Sequence, residues 1–187
     1  MILAPARHLR RVLSCFAIVV CILLLEVAAH SQALPTATGP GSYTDIGVSG
    51  SYFNLNYGQR WVGGGSIYLD ANLYHRYGAE IQYQTFRYNQ ENGVRQTTYL
   101  AGPRVSFRDY GFVPYVNLLV GRGDFDFPYG YAKGTYFVYA PGAGLDYDLT
   151  KKIKLRLINV QYQEWPQFTF GNLHPYGASV GISLRIW

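Results

Sequence analysis

Residues 178–187 read Ala178-Ser179-Val180-Gly181-Ile182-Ser183-Leu184-Arg185-Ile186-Trp187. Ala178, Val180, Ile182, Leu184 and Ile186 share one parity, and Ser179, Gly181, Ser183 and Arg185 the other. An apolar period of two is the mark of a β-strand with one apolar and one polar face. Such a strand pairs on both edges or stays exposed as a template for aggregation. Pairing back to the first strand of the chain would close a barrel and remove both edges.

The composition fits that expectation. Charged residues make up 14% of the 187, aromatics 17%, with 18 Tyr and 21 Gly, and mean hydropathy is near zero. A soluble domain usually carries about 25% charged residues. Few charges, many Tyr and Gly and no net hydrophobicity suit alternating strands with one face in lipid.

The N-terminus reads as a secretory signal peptide over residues 1–33. Arg7, Arg10 and Arg11 form its basic start, Val12 to Leu25 its apolar core, and Ser31-Gln32-Ala33 the small-residue cleavage site. That apolar run is shorter than the roughly 18 to 20 residues of a spanning helix. Residues 34–42 (LPTATGPGS) read as a flexible periplasmic segment, and 43–187 as a single barrel domain. Both cysteines, Cys15 and Cys21, fall in the leader, so no disulfide, thiol nucleophile or thiolate metal site is expected after cleavage. Losing the leader takes the formal charge from +5 to +3, too small an excess to suggest nucleic acid as a partner.

The final pattern recurs seven times upstream. Ile46, Val48 and Tyr52 oppose Asp45, Gly47, Ser49 and Ser51; Ile67, Leu69, Ala71 and Leu73 oppose Ser66, Tyr68, Asp70 and Asn72. Ala79, Ile81 and Tyr83 oppose Glu80, Gln82 and Gln84; Tyr99, Ala101, Val105 and Phe107 oppose Thr98, Gly102, Arg104 and Ser106. Phe112, Val116, Leu118 and Val120 oppose Tyr115, Asn117 and Gly121; Phe137, Tyr139, Ala143, Leu145 and Tyr147 oppose Gly142, Gly144 and Asp146. Ile153, Leu155 and Leu157 oppose Lys154 and Arg156, then the alternation lapses near Ile158 to Val160, where a bulge is expected. Pro103, Pro114 and Pro141 lie on the apolar parity, placed near strand ends where a missing ladder donor is tolerated. Long connections (Asn54–Arg60, Asn89–Gly93, Arg122–Gly134, Glu164–His174) alternate with short ones, giving an eight-stranded antiparallel up-and-down barrel, all-β.

Alternation alone does not say which face is inside. A lipocalin-type barrel turns the apolar parity inward; a membrane barrel turns it outward. The long–short alternation of connections, the aromatics of the apolar parity near strand ends, and the Gly/Ser-rich polar parity favour the membrane arrangement. So does charge: Asp45, Asp70, Glu80 and Asp146 balance Arg104, Lys154, Arg156 and Arg185 on the polar parity. Inside a narrow barrel, unpaired charge would be costly. These eight residues are expected to form a lumen charge network.

The chain from Tyr43 to Trp187 resembles the small eight-stranded outer-membrane β-barrels, the OmpA-like β-barrel domain family. The residues that carry the resemblance are Gly102-Pro103-Arg104-Val105-Ser106-Phe107, Pro114 to Gly121, Gly142-Ala143-Gly144-Leu145-Asp146-Tyr147 and Ile153-Lys154-Leu155-Arg156. Ser179, Gly181, Leu184 and Ile186 are similar to the family's assembly signal, with Ile186 in place of the usual aromatic and Trp187 as an extra residue. The resemblance implies outer-membrane lipid and the outer-membrane assembly machinery as partners, with both termini in the periplasm.

The function expected is that of a structural or small-pore outer-membrane barrel whose lumen is charge-paired and plugged. The alternative is adhesion or binding of an extracellular ligand through loops, with Arg122, Gly123, Asp124, Phe125, Phe127, Tyr129 and Tyr131 as candidates in the connection Arg122–Gly134. A lipid-modifying enzyme is disfavoured: His75 lies in a short turn, and Pro175-Tyr176 after His174 departs from the His-x-Ser arrangement of deacylase barrels. No catalytic residue, metal site or cofactor is expected.

Overall fold

The computed structural model describes residues 42–56, 61–87, 95–126, 133–166 and 171–186. The leader, the linker to Gly41, the Asn89–Gly93 turn, Phe127, Tyr129, Tyr131 and Trp187 lie outside the described residues. The strands are β1 (Tyr43–Asn54), β2 (Trp61–Tyr74), β3 (Tyr77–Arg87), β4 (Arg95–Ser106), β5 (Phe112–Asp126), β6 (Lys133–Asp148), β7 (Ile153–Tyr162) and β8 (Tyr176–Arg185). Each pairs antiparallel with the next, and β8 pairs with β1 from Asp45↔Arg185 to Asn54↔Tyr176, which closes the barrel. The final strand thus has the partner its pattern demands.

The short connections gather at one end, here called the turn end, and the long ones at the other, the loop end. His75, in the two-residue β2–β3 turn, has a φ of 50°, and Gly111 in the β4–β5 turn one of 87°. Leu157 and Ile158 are both exposed, and the β7 register slips between Arg156 and Asn159 against β8. The bulge therefore sits at the front edge of the stretch where alternation fails. Pro141 stands in mid-strand rather than near an end, and the β6–β7 ladder begins just beside it at Gly142↔Gln161.

The polarity of a soluble domain is inverted. Asp45 and Glu80 are 0% exposed, whereas Ile67 and Val180 are 52% and 58% exposed. Apolar residues face outward along every strand, Ile46 and Val48 through Ile182 and Leu184, with aromatics toward both ends. Tyr52 stacks on Trp61 and Trp61 meets Tyr176 edge-on at the loop end; Phe112 meets Tyr147 at the turn end. No helix among the described residues is long and apolar enough to cross a membrane, which leaves crossing by strands open.

Eight strands leave an interior that side chains alone can fill, and glycines make room for the largest. Gly47 lies directly opposite Tyr68, and Gly144 opposite Tyr115. A Cβ on Gly47 would sit 2.4 Å from the Tyr68 ring, and one on Gly144 2.5 Å from Tyr115. Each tyrosine lies across its glycine and reaches the centre of the lumen.

Candidate functional site

The lumen holds three layers. Nearest the turn end, β1, β2 and β3 bring three carboxylates into direct cross-strand register: Asp45↔Asp70 and Asp70↔Glu80. Like charges directly opposed destabilise a sheet unless cations answer them. The cations come from β4 and β8, which flank these three strands, and from β7 across the barrel.

Arg104 of β4 donates from Nη1 to Asp70 and to Glu80 Oε2 (3.3 Å), and from Nη2 to Asp146 Oδ2 (2.5 Å). Arg156 of β7 donates from Nη2 to Asp70 Oδ2 (2.9 Å) and from Nη1 to Glu80 Oε1 (3.1 Å), with Nε 3.4 Å from Asp146. Asn117 Nδ2 adds a bond to Glu80 Oε2 at 3.0 Å. Below them Asp45 accepts from Lys154 and from Arg185 Nε (3.1 Å). All eight charged residues expected in the lumen meet there.

Two further charges complete the network. Asp148, at the end of β6, pairs with Arg108 at 3.0 Å and with Arg185 at 3.6 Å. With Arg108 and Asp148 included, five cations face five carboxylates. The charges are also sandwiched by rings, since the guanidinium of Arg104 lies 3.6 Å from the Tyr115 centroid and that of Arg156 3.6 Å from Tyr68. Such desolvated cation–π contacts add about 2 kcal/mol each. Arg185 and Lys154 lie over Tyr43 at the turn end. A cavity of about 10 Å³ beside Asp70, Asn72, Arg104 and Lys154 is no larger than a single water.

Above the charges lies an amide layer. Gln161 donates to Gln82 and Gln163 to Gln84, both at 2.9 Å, and Trp165 Nε1 donates to Gln163 at 3.2 Å. The loop end is apolar inside, a feature the expected charge-paired lumen did not include. Leu100, Leu119, Phe125, Val138, Ala140 and Leu173 pack around Trp165, which is fully buried, and Phe53, Leu55, Val62 and Phe86 form a second cluster. Runs apolar on both parities, such as Tyr99-Leu100-Ala101 and Phe137-Val138-Tyr139, carry this signal in the sequence.

The loop candidates need a correction of place. Arg122, Gly123, Asp124 and Phe125 belong to β5, not to a loop. Phe125 points inward and is buried, and Gly123 lies under the Trp165 ring, 2.1 Å from where its Cβ would be. Asp124 Oδ1 accepts from Arg122 Nε (2.9 Å) and Thr135 Oγ1 (2.8 Å). β5 outlasts the apolar belt, so its outward residues turn polar while the alternation continues. In the assembly-signal stretch, Leu184 and Ile186 face outward, Ser179 faces inward, and Gly181 lies against Val48 and Ser49 of β1.

An eight-stranded up-and-down barrel with an apolar exterior and a filled polar lumen is the fold of the small outer-membrane barrels. Three solved structures share it. Neisserial surface protein A matches with a TM-score of 0.61 at 14% identity, over 78% of this chain and 97% of that one. The outer membrane protein OprG from Pseudomonas aeruginosa matches with 0.58 at 10%, over 79% and 97%. Ail, the attachment invasion locus protein of Yersinia pestis, matches with 0.51 at 18%, over 78% and 97%. At these identities the likeness is one of fold. No protein-family model and no curated protein matches the chain.

Proposed function

We propose that this protein is a structural barrel of the bacterial outer membrane, exported by a cleaved signal peptide, with a lumen plugged along its length. It crosses the outer leaflet and inner leaflet of that membrane with its turn end in the periplasm and its loop end outside. The observation that carries the reading is the inverted polarity: a paired charge network inside, whose centre (Asp45, Asp70, Glu80, Arg104, Asp146, Lys154 and Arg156) is buried, and a belt of exposed Ile, Val and Leu outside. A belt of that kind is stable only against lipid or another apolar surface. Its partners are outer-membrane lipid and, during biogenesis, the outer-membrane assembly machinery, which would read Leu184 and Ile186 on the outer face of β8. The plug is supported by the succession of ion pairs, glutamines and Trp165, and the cavity beside Asp70 and Arg104 is no larger than one water.

The test is reconstitution of the protein. The folded barrel should migrate differently from the boiled protein in electrophoresis, and it should carry no sustained ionic current in planar bilayers. Absence of a mobility shift would contradict the membrane barrel, and a steady open channel would contradict the plug.

A second reading, binding of an extracellular ligand at the loop end, draws on a different observation. A cleft of about 500 Å³ lies on the outer face of β4, β5 and β6, with Arg95, Tyr99, Arg122, Asp124 and Thr135 among its walls. Its mixed charge, Arg95 and Arg122 beside Asp124 and Asp126, suits a polar ligand such as a sugar. Weakened binding of such a ligand in Arg95→Gln, with the fold intact, would support it; unchanged binding would remove it.

A further inference from the structure

Three side chains outside the lumen form a cluster that neither the plug nor the lipid belt uses. Tyr162 ends β7, Glu164 follows it, and His174 leads into β8; all three lie on the outer face at the loop end. Tyr162 Oη lies 2.9 Å from Glu164 Oε2 and 2.8 Å from His174 Nδ1, and Nδ1 lies 2.5 Å from Oε2. One nitrogen and two oxygens thus stand at the corners of a nearly equilateral triangle.

Hydrogen bonding accounts for the triangle only if one proton is shared between two acceptors. Three edges require three protons, whereas the phenol supplies one, Nδ1 at most one, and the carboxylate none. One edge therefore has no proton of its own and is served at best by a bifurcated share of a neighbour's. A cation at about 2.1 Å from each atom would satisfy all three corners at once, the phenol proton passing to solvent as the ion binds. The corners are also built to hold their places. Glu164 exchanges backbone bonds with Tyr139 (2.8 and 3.2 Å), Trp165 with Leu173, and Gln163 N donates to Pro175 O at 2.7 Å. Tyr162 and His174 lie parallel, their ring planes 16° apart. The outer side of the triangle is open, with the His174 side chain 39% exposed and Tyr162 41%.

We propose that Tyr162, Glu164 and His174 form a surface site for a divalent first-row transition ion, which staples the end of β7 to the lead-in of β8. An imidazole nitrogen beside a carboxylate and a phenol is a borderline donor set, suited to Cu²⁺ and Zn²⁺ over Mg²⁺ and Ca²⁺, and affinity should follow Cu²⁺ above Zn²⁺. The ion would close the base of the β7–β8 connection, the longest in the barrel. The site needs only the fold, and does not depend on where the barrel resides.

The test is titration of the full barrel in detergent with CuCl₂, ZnCl₂ and MgCl₂, followed by calorimetry, with electron paramagnetic resonance of the Cu²⁺ form. One equivalent of Cu²⁺ should bind, with coupling to one imidazole nitrogen, Zn²⁺ more weakly and Mg²⁺ not at all. His174→Ala and Glu164→Gln should each weaken Cu²⁺ by at least about tenfold, the lower end of what losing even a supporting group costs a metal site. His75→Ala should change nothing. The mobility shift on boiling reports the fold of each variant separately, and the near-isosteric Glu164→Gln keeps the test available if His174→Ala does not fold. No Cu²⁺ binding to the folded wild type, or unchanged affinity in a folded His174→Ala or Glu164→Gln barrel, would overturn the proposal.

Discussion

Asp70 and Glu80 stand directly opposite each other on β2 and β3, and two guanidiniums, those of Arg104 and Arg156, each donate to both. Two carboxylates in cross-strand register would repel, so this part of the barrel wall is stable only with its cations in place. Truncating one member of a buried ion group leaves the others uncompensated, at about 3–5 kcal/mol. Arg156→Ala should lose that much in urea unfolding of the reconstituted barrel. Glu80→Gln removes one of the opposed charges, so the double variant should cost clearly less than the sum of the singles. Additive losses would show that the network is not coupled.

The glycine–tyrosine pairs make a second prediction. A side chain at Gly144 must displace Tyr115, whose ring lies against Arg104 and whose hydroxyl bonds Asn159 at 3.0 Å. Gly144→Val should therefore destabilise by about 1–3 kcal/mol, the usual range for overpacking. Gly50 faces outward with nothing within 4 Å of its would-be Cβ. Gly50→Val should be nearly neutral in the same unfolding assay, and equal losses at the two positions would argue against the tyrosine as the cause.

Two tryptophans report the two sides of the wall. Trp61 is 47% exposed on the outer face, whereas Trp165 is fully buried inside. In vesicles of brominated lipid, a barrel retaining only Trp61 should be strongly quenched, and one retaining only Trp165 should keep most of its fluorescence. Trp165→Ala should cost about 3–5 kcal/mol, as for other large core truncations, because it empties the middle of the apolar cap. Strong lipid quenching of Trp165 would place it outside the lumen.

The outward face of β8 should be intolerant of charge. Leu184 is 53% exposed there, beside Ile46 of β1 and Ile153 of β7. A charged residue on the lipid face of a barrel is penalised according to its depth. In cells, Leu184→Asp should reduce the heat-shifted, membrane-inserted fraction, while Ser183→Ala, on the lumen side, should leave it close to wild type.

Much of this was legible in the sequence because one rule, alternation, runs through the whole wall. It placed Asp45, Asp70, Glu80, Arg104, Asp146, Lys154, Arg156 and Arg185 on one face, and charge balance then turned that face inward. Arg108 and Asp148 escaped because they lie at the margins of the turns, although both continue the inward parity of Arg104 and Asp146. The loop end was harder to read for a physical reason: beyond the lipid belt the outer face meets water, so the polarity of the alternation reverses while its period persists. Arg122 and Asp124 therefore read as loop although they belong to β5, and Phe125 and Trp165, which also fall in stretches read as loop, are buried. The Tyr162–Glu164–His174 cluster was hidden by distance along the chain, since only the bridges that extend β7 and β8 bring its members together.

The orientation of the wall is the central claim, and β8 tests it most directly. Both cysteines of the sequence, Cys15 and Cys21, lie ahead of β1, so a barrel produced from residue 34 onward accepts single spin labels at successive positions from Ala178 to Leu184. Reconstituted in lipid, labels at Ala178, Val180, Ile182 and Leu184 should collide strongly with oxygen, which concentrates in the bilayer, and those at Ser179, Gly181 and Ser183 only weakly. A period of two in that phase places the apolar face in lipid and the charge network in the lumen. The opposite phase, or no periodicity, would contradict it.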